Sequence, residues 1–394
     1  MRLPCQDAFA TARGEAFVAT ADNPSAIYYN PAGISQLDGL NARFGAYSIY
    51  MNPRYTPPGA NQNTFEIENK LAAAPQVFVT YSPHELPLSF GLGAYAPFGA
   101  EVAWPQDTGF RTIATEARVT YLTLNPVLAV ELAPGLSIGA GATVNYGDIT
   151  LEQGLLRTER PFDNQFKFSG DGWSVGSNLG LLWKIHEKVS VGGSLRTASR
   201  MTAEGQTDME QQPIIQRTKI DAEAEFEFPL IAIAGISFRP TPAWNIEFNA
   251  DYTDWSCFDE VLITQRTQPP FPVARDIPVT LQWQASWMYK AGVTRYFQSG
   301  WHLSAGYAFN ENSVPDDYYT PLAADMDRHF FSAGAGYKGK NVAFDIAYQF
   351  GYGPDRVVTG SRPSSTPGRF SGQSADGTYE FTSHAVMVTF GLSF

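Results

Sequence analysis

Two cations stand at positions whose period turns them away from apolar neighbours. Lys290 alternates with Trp287, Tyr289 and Ala291, and Arg196 alternates with Val191, Gly193 and Leu195. A cation facing a largely apolar interior wants a counter-charge, which either a ligand carboxylate or an internal acid would supply. Glu247, Asp251 and Asp345 share the inward period, so ion pairing within the protein is the competing role for both cations. Other reactive groups are sparse. Ser174 lies in the Gly172–Gly176 run GWSVG, the pattern of a nucleophile elbow, but that motif must join a strand to a helix and here it opens an alternating strand. His84, His186, His302, His329 and His384 show no metal-ligand spacing, and Cys5 and Cys257 lie too far apart to imply a disulfide framework. No phosphate loop or dinucleotide fingerprint stands out, so no cofactor, metal or catalytic residue is expected.

The elements that must position these residues are strands. At the carboxyl end Val386, Val388, Phe390, Leu392 and Phe394 alternate with Met387, Thr389, Gly391 and Ser393, the period of a strand with one greasy face. A chain that stops on such a strand suits a closed barrel whose last strand pairs with its first. Composition agrees: aromatics are 14% of the 394 residues and charged residues only 17%, against roughly 25% in soluble proteins. The longest nearly apolar run, Phe228 to Phe238, is too short for a spanning helix, whereas barrel strands alternate and dilute the hydropathy signal. A formal charge of -12 argues against nucleic acid as a partner. No leader segment is recognisable, which suggests the mature form of an exported chain.

Reading for alternation gives about fourteen strand candidates between Ala42 and Phe394, an even number as in bacterial single-chain barrels. Among them are Leu88 to Trp104 as the third, Gly172 to Ile185, Pro229 to Arg239 and Val342 to Tyr352. Links between them alternate between tight, as at Ala133 to Gly135 and Gly339 to Lys340, and long, as at Gly353 to Thr378. That asymmetry predicts an outer-membrane barrel with short turns in the periplasm and, from the even count, both termini there. A soluble sandwich shares the alternation but not the loop asymmetry. Residues 1–40 break the pattern and are expected to form a short helical or irregular plug inside a barrel of residues 41–394.

The stretch GEAFVATADNPSAIYYNPAGISQLDG resembles the N-terminal region of the FadL/TodX family of outer-membrane transporters for hydrophobic compounds. KAGVTRYF from Lys290, LSAGYAFNENSVPD from Leu303 and DMDRHFFSAGAGYK from Asp325 also look like family segments in their expected order. The resemblance implies a fourteen-stranded antiparallel barrel, a hatch carrying Asn30, Pro31, Ala32 and Gly33, and an inward kink in the third strand that opens the wall sideways. Pro97, Phe98 and Gly99 would make that kink, since Pro97 has no N–H for a ladder and Gly99 tolerates a bulge; the alternative is a strand that ends in a turn there. The implied function is passive, non-enzymatic uptake of long-chain fatty acids or similar molecules by a monomer in contact with outer-membrane lipid and lipopolysaccharide. Aromatic or aliphatic hydrocarbons, a general porin and a lipid hydrolase are the alternatives. Leu155, Leu156, Phe162, Phe166 and Phe168 form a candidate greasy capture surface in the loops, unless they pack the loops together.

Overall fold

Fourteen antiparallel strands wind up and down around one closed wall. The computed structural model describes residues 2–60, 62–83, 86–155, 159–162, 164–271, 273–362 and 373–394. The strands are β1 (Gly39–Thr56), β2 (Leu71–Ser82), β3 (Leu88–Ala103), β4 (Glu116–Ala133), β5 (Leu136–Gln153) and β6 (Gln165–His186). Four follow in two pieces each: β7 (Val189–Arg196, Ser199–Gln211), β8 (Ile215–Phe228, Ile231–Phe238), β9 (Trp244–Thr253, Glu260–Gln265) and β10 (Asp276–Thr280, Ser286–Tyr296). The wall is completed by β11 (Trp301–Asn310), β12 (Arg328–Lys338), β13 (Val342–Val358) and β14 (Gly377–Ser393). Closure is direct: β1 pairs with β14 from Asn41 opposite Ser393 to Thr56 opposite Thr378, which leaves no edge between first and last strand.

Side-chain alternation sets where lipid begins and ends. Near the short turns Leu179, Leu181 and Trp183 of β6 and Ile236 and Phe238 of β8 are exposed, as a lipid-facing band requires. Higher up the phase inverts. Ile220, Ala222, Ala224 and Phe226 of β8 are buried while Asp221, Glu223 and Glu225 face outward, so this part of the wall stands in water. The inversion corrects two predicted boundaries, because a search for greasy outer faces stops where the outer face turns acidic. β6 starts at Gln165 rather than Gly172, and β8 at Ile215 rather than Pro229.

Residues 8–36 sit inside the wall as α1 (Ala8–Ala12), α2 (Ala26–Tyr29) and a 3-10 turn (Pro31–Gln36), nearly all buried. Asp7 caps α1 by accepting from the N–H groups of Phe9 and Ala10 at 3.0 and 3.3 Å. The wall makes room for this backbone by omitting side chains. A Cβ added at Gly306 would lie 2.1 Å from the Arg13 carbonyl carbon, and one at Gly192 would lie 2.1 Å from the Val18 oxygen. Asn30 fastens the 3-10 turn, donating to Val18 O at 2.7 Å and to Leu181 O at 2.9 Å. The first described residues, Arg2 and Leu3, lie far from the short-turn rim, beside Pro97 and Phe98. Phe394 sits at that rim, its N–H bonded to Leu40 O at 2.9 Å.

Candidate functional site

The wall is not sealed all the way round. β2 and β3 pair only from Tyr81 opposite Phe90 to Val77 opposite Ala94, although β2 continues to Leu71 and β3 to Ala103. On their other sides both strands stay paired, β2 with β1 as far as Leu71 and β3 with β4 as far as Ala103. The ladder therefore ends between the two strands at Tyr95. There the β3–β4 register slips between Tyr95 and Phe98, where Ala96 and Pro97 stand opposite Leu122 alone. Pro97 has no N–H to offer a partner, and its carbonyl accepts instead from Leu3 N at 2.8 Å. Arg2 bridges Phe98 in antiparallel fashion, so the chain's amino end occupies part of the unpaired edge. Gly99 leaves room for it, since a Cβ there would lie 3.0 Å from Leu3 Cδ1.

A cavity of about 510 Å³ opens at this break. Ala73 and Ala74 of β2 and Gly99 and Ala100 of β3 flank it, and Trp255, Met288 and Phe381 line it from within. Phe98 reaches across the lumen, its ring 5.2 Å from Phe228 and 6.1 Å from Trp255. Trp255 and Trp283 lie where β9 and β10 are interrupted and turn inward. Its lining is mostly apolar, so it can take an apolar group out of water.

The charged groups divide into several sets. Lys290 Nζ sits 2.6 Å from Asp251 Oδ2, and Arg2 Nη2 sits 2.7 Å from the same oxygen, all three side chains being almost wholly buried. Glu15 lies in the same electrostatic neighbourhood and accepts from Thr11 at 2.7 Å and Tyr29 at 2.6 Å. Burial raises its carboxyl from the ordinary 4.5 to about 7, with Lys290 and these hydrogen bonds opposing the rise. Arg43 pairs with both Asp7 and Asp345, and Asp345 in turn meets His302 Nε2 at 2.7 Å. Burial outweighs Arg43 at Asp7, whose carboxyl is held above its usual range. Glu247, fully buried, accepts from Ala19 N at 2.8 Å and from Thr20, and faces Arg13 at 3.5 Å.

The predicted residues fall as follows. Lys290 faces inward with Asp251, one of the acids its period named. Arg196 meets no carboxylate among the described residues. It donates to the Tyr95 hydroxyl at 2.9 Å, and its guanidinium lies 5.0 and 5.4 Å from the Tyr28 and Tyr95 ring centres. The supposed capture residues Phe166 and Phe168 are on β6 rather than in a loop, buried with Leu155 in a cluster that includes Met201 and Ile220. Their alternation with outward polar residues belongs to the inverted phase, which explains the misplacement. Phe162 packs under Arg111, 5.0 Å from its ring, while Leu156 lies outside the described residues, as does His84. Ser174 Oγ is 3.2 Å from the Tyr121 hydroxyl and 3.3 Å from Asn145 Nδ2, in mid-strand. The two cysteines are free. Sequence reasoning missed Arg2, Arg43 and Tyr95. Arg43 alternates inward on β1, a usable signal, whereas nothing in the pattern marks Arg2.

A closed fourteen-stranded wall with a greasy outer band and, among the described residues, no helix long and apolar enough to cross a membrane define a barrel of the outer-membrane type. The chain belongs to the outer membrane protein transport protein family, OMPP1/FadL/TodX, whose model matches residues 6–394. It is 21% identical over 423 residues to the long-chain fatty acid transport protein of Escherichia coli, covering 95% of this chain and 89% of that one. The Salmonella typhi protein of the same name is 20% identical over 412 residues, covering 95% and 88%. Among solved structures, a Pseudomonas aeruginosa FadL homologue superposes with a TM-score of 0.85 at 18% identity, covering 100% and 99% of the two chains. The Pseudomonas putida toluene transporter TodX gives 0.71 at 14% identity, covering 98% and 97%. These likenesses share the fold, and the family places the chain in the outer membrane as a transporter.

Proposed function

We propose that this protein takes up long-chain fatty acids or similar hydrophobic molecules passively and releases them sideways into the bilayer through the break between β2 and β3. The single observation that carries the reading is the ladder that ends at Val77 and Ala94 while both strands run on past a cavity of about 510 Å³. Each CH₂ kept out of water is worth about 0.8 kcal/mol, so a long acyl chain dropped into the periplasm would lose many kcal/mol that a lateral exit retains. Residues 1–40 act as a hatch. Cargo is captured in the loop region above, where Leu155, Phe166 and Phe168 extend the apolar interior upward. Arg2 lines the cavity and shares the carboxylate Asp251 with Lys290, and its guanidinium there suits a cargo carboxylate.

In a double variant, Pro97→Val restores a ladder donor at the bulge, and Gly99→Val places a side chain against Leu3 in the unpaired edge. Uptake of a labelled fatty acid should be lost while the barrel keeps its heat-modifiable mobility on gels; normal uptake would remove the lateral route. Aromatic or aliphatic hydrocarbons are the second reading, favoured by the pairing of Lys290 with Asp251, which already neutralises that buried cation without a charged cargo. Ligands that co-purify in detergent, identified by mass spectrometry, decide between the two. A general porin predicts steady conductance unaffected by deleting Gln6 to Asp38, whereas a hatch predicts a leak on deletion. No catalysis is assigned, because Ser174 bonds to Tyr121 and Asn145 and no histidine stands beside it among the described residues.

A further inference from the structure

Arg196 is a buried-facing cation whose partners are all attached either to the hatch or to the kink. Its Nη1 donates to the Tyr95 hydroxyl at 2.9 Å, and its Nη2 reaches the Tyr28 carbonyl at 3.5 Å. The guanidinium is clasped by both rings, which themselves meet edge to face at 5.2 Å. Tyr28 belongs to α2 of the hatch. Tyr95 is the residue of β3 at which pairing with β2 has ended and the slip against β4 begins.

A second polar path joins the same two elements. The Tyr95 hydroxyl donates to Asn125 Oδ1 at 2.9 Å, Asn125 meets Asn178 at 3.1 Å, and Asn178 Nδ2 donates to the Ile27 carbonyl of α2 at 3.0 Å. The contact between the elements is flush because β3 carries no side chain beneath it: Ile27 lies where Cβ atoms on Gly91 and Gly93 would be, 2.9 Å away in each case. Movement of α2 cannot leave Tyr95 where it is without breaking two charge-assisted or fully buried hydrogen bonds.

We propose that Arg196 is a positioning residue that couples the hatch to the wall: it clamps Tyr95 against Tyr28, so that displacement of α2 by cargo frees the β3 edge at the break. This rests on the lateral route proposed above. It replaces a substrate-contact role for Arg196, whose half-buried guanidinium is already engaged by Tyr95 and Tyr28. The planar fork and the stacking faces matter as much as the charge, and Lys offers neither.

The test uses the full chain, with spin labels at Ala73→Cys and Ala100→Cys in a Cys5→Ser, Cys257→Ser background, and a fluorescent fatty acid with its chain-matched alcohol as probes. In Arg196→Gln, affinity for both probes should stay within about twofold, cellular uptake should fall about tenfold, and the ligand-induced change in label separation should vanish. Tyr95→Phe should do the same, the double variant should be no worse than either single one, and Arg196→Lys should fail to rescue. Heat-modifiable mobility certifies folding, and the Lys variant, which keeps the charge, serves if the Gln variant does not assemble. A selective tenfold loss of fatty-acid affinity would make Arg196 a head-group contact and overturn the proposal, as would normal uptake, additive losses or rescue by Lys. If Pro97→Val with Gly99→Val transports normally, the lateral route itself fails; if that variant is dead while Arg196→Gln transports normally, only the coupling fails.

Discussion

Glu247 holds the middle of the hatch against β9, and removing it should release the hatch by a calculable amount. Its carboxylate accepts from Ala19 N and Thr20, and it is the counter-charge of Arg13 at 3.5 Å. Arg13 has no exposed side-chain surface; its Nη2 also donates to Asn245 at 2.6 Å, but its Nε and Nη1 have no hydrogen-bond partner among the described residues. Glu247→Ala therefore leaves a buried guanidinium without an acid and orphans two donors, a change of about 3–5 kcal/mol for a broken buried pair. At about 1.4 kcal/mol per decade, the population with an undocked hatch should rise by roughly two to three and a half orders of magnitude. Glu247→Gln keeps one acceptor oxygen for Ala19 N–H but also removes the charge opposite Arg13, so its shift should lie between those of Glu247→Ala and the unaltered protein. Trypsin reads this directly, because Arg13 is inaccessible while docked: cleavage there gives a fragment beginning at Gly14, identified by mass spectrometry, and planar-bilayer conductance should rise in parallel. Equal cleavage at Arg13 in Glu247→Ala and the unaltered protein, with equal conductance, would refute the reasoning.

Two further outcomes follow from the same packing. Glu15, raised by burial from 4.5 to about 7, holds its proton more tightly docked than in water. Docking should therefore weaken as pH rises from about 4.5 to 7, by up to about 3 kcal/mol, and level off above. Asp7 shifts in the same direction. Bilayer conductance should be greater at pH 8 than at pH 5, with Glu15→Gln reducing the difference; greater conductance at pH 5 would contradict the assignment. Gly180→Val places a Cβ 2.3 Å from Asn30 Oδ1 and 2.7 Å from Pro31 Cδ. It should destabilise hatch docking by about 1–3 kcal/mol without preventing barrel assembly, seen as leak through barrels that remain heat-modifiable.

Much of the fold could be read from alternation because a lipid-facing strand has no choice about its outer side chains. Val342, Ile346, Tyr348 and Tyr352 lie on the predicted outer face and are exposed, while Asp345 and Gln349 lie within. Pro97 and Gly99 were legible as an irregularity because a ladder cannot use a missing N–H. The upper reaches of β6 and β8 were not, since above the bilayer the greasy face turns inward and the outer face becomes acidic. Phe166 and Phe168 were misplaced for that reason alone.

By itself the sequence determined a lipid-spanning, even-stranded barrel with a non-strand beginning, since period, composition and loop length are local properties. Only the tertiary structure decided which charge meets which. Arg2 finds Asp251, Arg43 finds Asp345 and Arg196 finds Tyr95, partners about 100 to 300 residues apart in the chain. Such meetings depend on strand register and on where the hatch comes to rest in the lumen. Both are global outcomes of closing the wall around a segment that fills it, and no local pattern encodes them.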